Sequence, residues 1–196
     1  LLNSINRKYP ASNLAADANM EIAGTLLAGE QFREALPYLK NVLQAPGADA
    51  LKTKAYLRSG IAWYNLNNNK EALNQYDSLL RNFPNSPEAQ DALDNAKAIY
   101  VEEGKSADYV NFAKSMGVEV TASQEDQLAY EEAEVQFNNG NFAGASQKFE
   151  AYLAKFPEGK YSLEANYYKS EIYSSQKDWA KAVTGYQAVA DRVPNK

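Results

Sequence analysis

An interval of 36–37 residues, at which one side-chain pattern returns, constrains this chain more than any other feature. Three segments carry the pattern in full. Tyr56 to Tyr64 is followed by the polar turn Asn67-Asn68-Asn69, then Ala72, Tyr76, Leu79 and Phe83-Pro84. Ala129 to Ala133 leads into Asn138-Asn139-Gly140-Asn141-Phe142, then Ala145, Phe149, Tyr152 and Phe156-Pro157. Asn166 to Ser170 leads through Tyr173 into Asp178-Trp179, then Ala182, Tyr186, Val189 and Val193-Pro194. Each reads as an apolar-periodic helix, a turn, a second helix and a proline stop. With each closing Pro at position 32, Gly60, Ala133 and Ser170 share position 8, and Ala72, Ala145 and Ala182 share position 20. Tyr76, Phe149 and Tyr186 share position 24; position 11 holds Trp63 and Tyr173 but Gln136 in between. The same frame finds two weaker copies. Ala23, Leu26, Ala35, Leu39 and Val42 form one, ending near Pro46-Gly47. Leu93, Tyr100, Ala113 and Met116 form the other, with Tyr109 where Ala is expected.

The positions make steric sense. Two helices that cross closely need Gly, Ala or Ser at the crossing, and aromatic side chains fill the gaps between successive hairpins. This pattern resembles the tetratricopeptide repeat (TPR), which implies an all-α, right-handed superhelix of stacked hairpins. The frame places hairpins at 16–47, 53–84, 90–117 (degenerate), 126–157 and 163–194. Pro10 lies six residues before a repeat start, as Pro84 and Pro157 do, so residues 1–10 read as the tail of a preceding hairpin. Solenoid ends need polar caps, and neither end offers one, so the array is expected to continue beyond both or to self-associate through them. Ser86 and Ser123 are expected to cap the helices that follow them. Pro37, early in a second helix, is expected to bend it without breaking it.

Composition narrows the function. With no Cys and no His, the chain lacks thiolate ligands, cysteine nucleophiles and the commonest general base, so neither enzyme, cofactor nor metal is expected. A net charge of −5 without a basic stripe argues against nucleic acid. No apolar run is long enough to insert into a membrane. Glu131, Glu132 and Glu134 cluster in sequence, yet helix neighbours point to different faces. Gly104-Lys105-Ser106 looks like a fragment of a phosphate loop but lacks the upstream Gly and follows a helix, so Gly104 reads as a helix stop. Trp63-Tyr64 and Tyr167-Tyr168 could suggest a sugar platform, but neighbours sit about 100° apart on a helix and only one of each pair can face a ligand.

What remains is recognition of a partner. In the TPR, first-helix residues at positions 2, 5, 9, 12 and 13 usually line a concave groove, and the resemblance carries this over to Leu57, Ile61, Tyr64, Asn65, Tyr130, Glu134, Asn138, Tyr167 and Glu171. Asp17, Asp91, Asp94, Glu102 and Glu164 fall on such positions as well, against Lys54 alone. An acidic, Tyr-lined groove suits a partner protein or an extended peptide with basic and apolar residues. Acidic residues also favour helix N-termini for the macrodipole alone, which accounts for Asp91, Glu125 and Glu164 without a ligand, and tyrosines at position 5 can instead pack against neighbouring hairpins. The Lys/Asn clamp that some TPR domains use for a C-terminal carboxylate is absent, since Met20, Gly24 and Leu57 occupy its positions.

Residues 126–196 most resemble the C-terminal TPR domain of bacterial envelope proteins: the periplasmic cell-division coordinator of the Tol-Pal system and the lipoprotein of the outer-membrane assembly machinery. The Asn- and Tyr-rich usage also resembles large TPR proteins of Bacteroidetes. The resemblance implies a periplasmic or outer-membrane-associated location and protein partners. Glycan binding, or a regulatory TPR segment in a larger multidomain protein, is the alternative.

Overall fold

A computed structural model describes residues 13–192, which form ten α-helices and no strand. In chain order these are α1 (Asn13–Ala28), α2 (Phe32–Gln44), α3 (Asp49–Asn65), α4 (Asn69–Asn82) and α5 (Ala89–Glu102). They continue with α6 (Ser106–Ser115), α7 (Ala122–Asn138), α8 (Phe142–Lys155), α9 (Ser162–Ser175) and α10 (Trp179–Ala190). The expected tail at 1–10 and the closing Val193-Pro194 lie outside the described residues.

One turn type joins the first and second helices of every pair. A single residue enters the left-handed region at Glu30, Asn67, Gly104, Gly140 and Lys177. These positions are 37, 37, 36 and 37 residues apart, so the backbone itself keeps the repeat interval. At each, two N–H groups reach back to the closing turn of the helix. The Gly104 N–H donates to the Val101 carbonyl at 3.0 Å and the Lys105 N–H to the Tyr100 carbonyl at 2.8 Å. This double bond pattern satisfies carbonyls that a helix end leaves open.

The next residue then starts the second helix. Asn68, Asn141 and Asp178 cap it by accepting the N–H of Glu71, Gly144 and Lys181. Lys105 has only donors and cannot cap. Glu132 of α7 supplies the acceptor instead: its Oε2 takes the Ser106 N–H at 3.2 Å and the Ser106 hydroxyl. The cap expected at Ser123 is made two residues earlier. Thr121 Oγ1 accepts the Gln124 N–H at 3.3 Å, and Gln124 Oε1 accepts the Thr121 N–H at 2.8 Å. Ser123 already lies in the first turn of α7, whereas Thr121 has the reciprocal partner three residues on. Ser86 does not cap either: among the described residues its buried hydroxyl has no partner, and α5 starts only at Ala89. Helix α2 continues through Pro37 to Gln44.

The chain divides into two compact units, residues 1–99 and 100–196. The division falls inside the third pair, where Lys97 and Tyr109 stand at positions that are small elsewhere in the frame. In the first unit α1 packs on α2 and α3, α2 on α3, and α3 on α4. Its core holds Met20, Ala23, Leu39, Val42 and Ala55. Gly60 of α3 is so close to α4 that an added Cβ would sit 2.2 Å from the Tyr76 ring. That contact is the physical content of a small residue at position 8 facing an aromatic at position 24.

In the second unit α6 packs on α7, α7 on α8, α8 on α9, and α9 on α10. Tyr130, Ala133, Ala145, Phe149, Tyr152, Ala165 and Ile172 are its buried centre. A buried carboxylate ties three elements together here. Asp126 of α7 accepts the Tyr152 hydroxyl at 2.6 Å and the Lys160 N–H at 2.8 Å, while Tyr152 Oη accepts the Tyr161 N–H at 3.1 Å. Every member is satisfied, so the network holds helix and turn in one register.

Candidate binding surfaces

The first helices of the pairs, here α3, α7 and α9, carry the residues that sequence reasoning selected. In the first unit Leu57 and Ile61 are half-buried, Tyr64 is 37% exposed and Asn65 is exposed with its amide on the Ile61 carbonyl at 2.8 Å. Trp63, next to Tyr64, is half-buried, so this aromatic pair splits between inside and outside. Arg58 joins this face, a residue absent from the predicted set. Its Nη1 lies 3.2 Å from Met20 Sδ, and it covers Gly24, where an added Cβ would meet the same nitrogen at 3.2 Å. Arg58 stands one residue after Leu57 in the repeat, and the signal that could have revealed it is the bare Gly24 one repeat earlier.

In the second unit the selected residues part company. Tyr130 does not line a groove: it is 6% exposed and belongs to the core. Its ring stacks on Tyr161 at 4.6 Å and 12°, and meets Tyr152 edge-on at 5.9 Å. The turn before α9 brings Tyr161 over it, a neighbour that position 5 of a single repeat cannot reveal. Only the hydroxyl reaches out, donating to Glu134 at 3.2 Å. Burial, with the Glu134 charge adding to it, pushes that phenol well above its usual range. Tyr167, at the same repeat position, is 45% exposed. It lies 6.0 Å from Tyr186, whose hydroxyl donates to Glu171 and is shifted upward by that bond. Asn138 and Glu171 are exposed, and Glu134 is half-buried.

Tyr168 turns inward, stacked on Phe149 at 6.1 Å and near Phe137 at 5.1 Å. The Tyr167 and Tyr168 planes stand 73° apart, so they form no flat platform. The carboxylate cluster disperses as well. Glu131 accepts from Gln127 at 2.6 Å, Glu132 is buried against Ser106 and Lys148, and Glu134 serves Tyr130. Among the described residues no group of three or more acidic side chains could hold a metal ion, and no helix is long and apolar enough to cross a membrane.

A second type of surface runs along the other side of the pairs, where a second helix meets the next pair. In the first unit it is an open groove of about 590 Å³ between α2, α3 and α4. In the second unit the corresponding space between α6, α7 and α8 is narrower, about 160 Å³, and holds the Glu132–Lys148 ion pair. Repeated hairpins, small residues at the crossings and a left-handed turn residue every 36–37 positions thus recur through both units.

A tetratricopeptide-repeat family model matches residues 54–86, and a second tetratricopeptide-repeat model matches residues 130–196. The chain belongs to the tetratricopeptide-repeat family. Its TPR fold is similar to that of MamA from Desulfovibrio magneticus RS-1, at 16% identity and a TM-score of 0.50 over 92% of this chain and 96% of that one. A double mutant of MamA from RS-1 gives 15% identity and a TM-score of 0.50 over 92% and 95%. A tetratricopeptide repeat protein from Parabacteroides merdae is 16% identical, with a TM-score of 0.49, over 100% of this chain and 72% of its own. No curated protein matches this TPR chain in sequence. TPR proteins are generally scaffolds that bind peptides or proteins, and the TPR chain carries that architecture in both units.

Proposed function

We propose that this TPR chain is a non-catalytic scaffold that holds a partner protein or an extended peptide on the face of its first helices. The observation that carries the reading is Tyr167, an aromatic ring 45% exposed beside Glu171. A buried network explains Tyr130, but the hydroxyl pair of Tyr186 and Glu171 leaves the Tyr167 ring open to a ligand. Exposed tyrosines beside carboxylates suit a segment with apolar and basic residues. In the second unit Glu134 and Glu164 add to this acidic character; in the first, Arg58 offsets it beside the apolar Leu57 and Ile61. Trp179 and Val183 are 61% and 59% exposed, four residues apart on α10, and supply an apolar face for another hairpin or a second copy.

The resemblance of residues 126–196 to envelope TPR domains supports a role in bacterial envelope assembly or division. Fractionation of the native protein tests that part, and recovery with cytosolic markers alone would overturn it. The surface is tested by titrating a labelled peptide of alternating Lys and Leu. Tyr167→Ala, Glu171→Lys and Tyr64→Ala are each expected to weaken binding several-fold, roughly 1 kcal/mol apiece. Unchanged affinity in all three would sink the acidic first-helix surface.

A further inference from the structure

The open groove of the first unit has a chemistry opposite to that surface. Its floor is Trp63, half-buried, with the small buried Ser59 beside it. One wall is α2, which presents Leu36 between Arg33 and Lys40. Those two cations stand seven residues apart, hence on one helix face. Both are exposed, and neither makes an ion pair among the described residues.

The repeat shows what this space accepts elsewhere. Counted from the left-handed turn residue, Lys114 of α6 stands where Lys40 stands in α2. Lys114 lies 3.5 Å from Glu125, on the next first helix. The position of Glu125 is taken in the first unit by Lys52, which pairs with Asp49 at 3.3 Å. Likewise Glu132, whose carboxylate fills the second unit's groove, is replaced by Ser59, and its partner Lys148 by Gln75. The first unit therefore keeps basic residues on the wall and loses both carboxylates that the second unit places opposite them.

We infer that this groove docks a short acidic peptide segment, one apolar anchor side chain on Trp63 and flanking carboxylates on Arg33 and Lys40. A space of about 590 Å³ lies within the range of ligand pockets and admits a side chain the size of Leu or Phe. Glu71 on the far wall disfavours carboxylates there and directs them to α2. The surface is separate from that proposed for the first helices, and the two call for opposite charge.

The test uses the full chain with Trp179→Phe, which leaves Trp63 the sole tryptophan. The probe is a capped hexapeptide with a Leu-Phe core between paired aspartates, alongside its asparagine isostere and a lysine analogue. The acidic peptide is expected to shift Trp63 emission saturably, and added salt to weaken it. The Arg33→Glu/Lys40→Glu double variant is expected to raise Kd roughly tenfold. If the double variant loses helicity, Arg33→Gln/Lys40→Gln serves, with a smaller rise expected. No emission shift, equal binding of the three peptides, or an unchanged Kd in the folded charge variants would overturn the inference.

Discussion

Side chains at equivalent repeat positions meet different fates, and the left-handed turn residues show this most simply. Gly104 and Gly140 adopt positive φ without a Cβ penalty, whereas Glu30, Asn67 and Lys177 bear one at φ 56°, 57° and 64°. Asn tolerates this conformation through local hydrogen bonding; Glu and Lys do not. Glu30→Gly and Lys177→Gly are therefore expected to stabilise the fold, each by about 0.5–1 kcal/mol after the entropy of glycine is counted. Urea unfolding followed by helicity checks this, with Asn67→Gly expected to gain less. The close approach of Gly60 to Tyr76 and the opening of Gly104 into a helix stop were legible in the residues themselves. The burial of Tyr130 was not, because Tyr161 covers it from beyond its own repeat frame.

At the scale of elements, turn chemistry explains why the third pair is irregular yet helical. Where the second, fourth and fifth pairs use Asn68, Asn141 and Asp178 to cap the second helix, Lys105 cannot, and Glu132 comes from α7 to do so. A carboxylate at a helix N-terminus gains from the backbone N–H and from the macrodipole together. Glu132 also pairs with Lys148, whose Nζ donates to the Gly104 carbonyl at 2.8 Å. Glu132→Ala is expected to cost about 2–3 kcal/mol, because it strands the buried Ser106 N–H and hydroxyl at the start of α6 and removes the partner of Lys148. Glu132→Gln keeps an acceptor for Ser106 and is expected to cost about half as much. Thermal unfolding of the two variants, with hydrogen exchange at Ser106 and Ala107, checks the order. Sequence spacing separated Glu132 from Glu131 and Glu134, but gave no sign that it serves a helix 26 residues upstream.

For the whole molecule, buried phenols set the alkaline limit of stability. Burial is the first cause that pushes Tyr76, Tyr130 and Tyr152 well above the ordinary value of 10, with Glu134 adding at Tyr130 and the Asp126 hydrogen bond at Tyr152. A group whose folded pKa lies above its unfolded value contributes stability that is complete below the unfolded pKa. That contribution is lost as pH rises, since the unfolded chain releases the protons first. Stability is therefore expected to fall from about pH 10 upward, with the slope of several phenols acting in both units. Tyrosinate absorbance followed against helicity checks this: the late-titrating fraction should ionise together with unfolding. Phe replacements at Tyr76 and Tyr130 should flatten the slope.

The sequence by itself determined the repeat, its 36–37-residue interval, the helical class and the small-to-aromatic crossings. Each of these is steric and lies within one hairpin, so it is written at fixed spacing. The resemblance to the TPR, carried over position by position, selected first-helix residues as candidates for a binding face. The tertiary structure decided which of them remain open. Tyr130 and Tyr167 share a position, yet one is core and the other surface, because exposure depends on what the next turn lays over the ring. It likewise decided that Arg58 joins the first-helix face and that one groove is filled by Glu132 and Lys148 while its counterpart stays open. Those outcomes depend on side chains from different repeats meeting in space, which spacing along one chain does not encode.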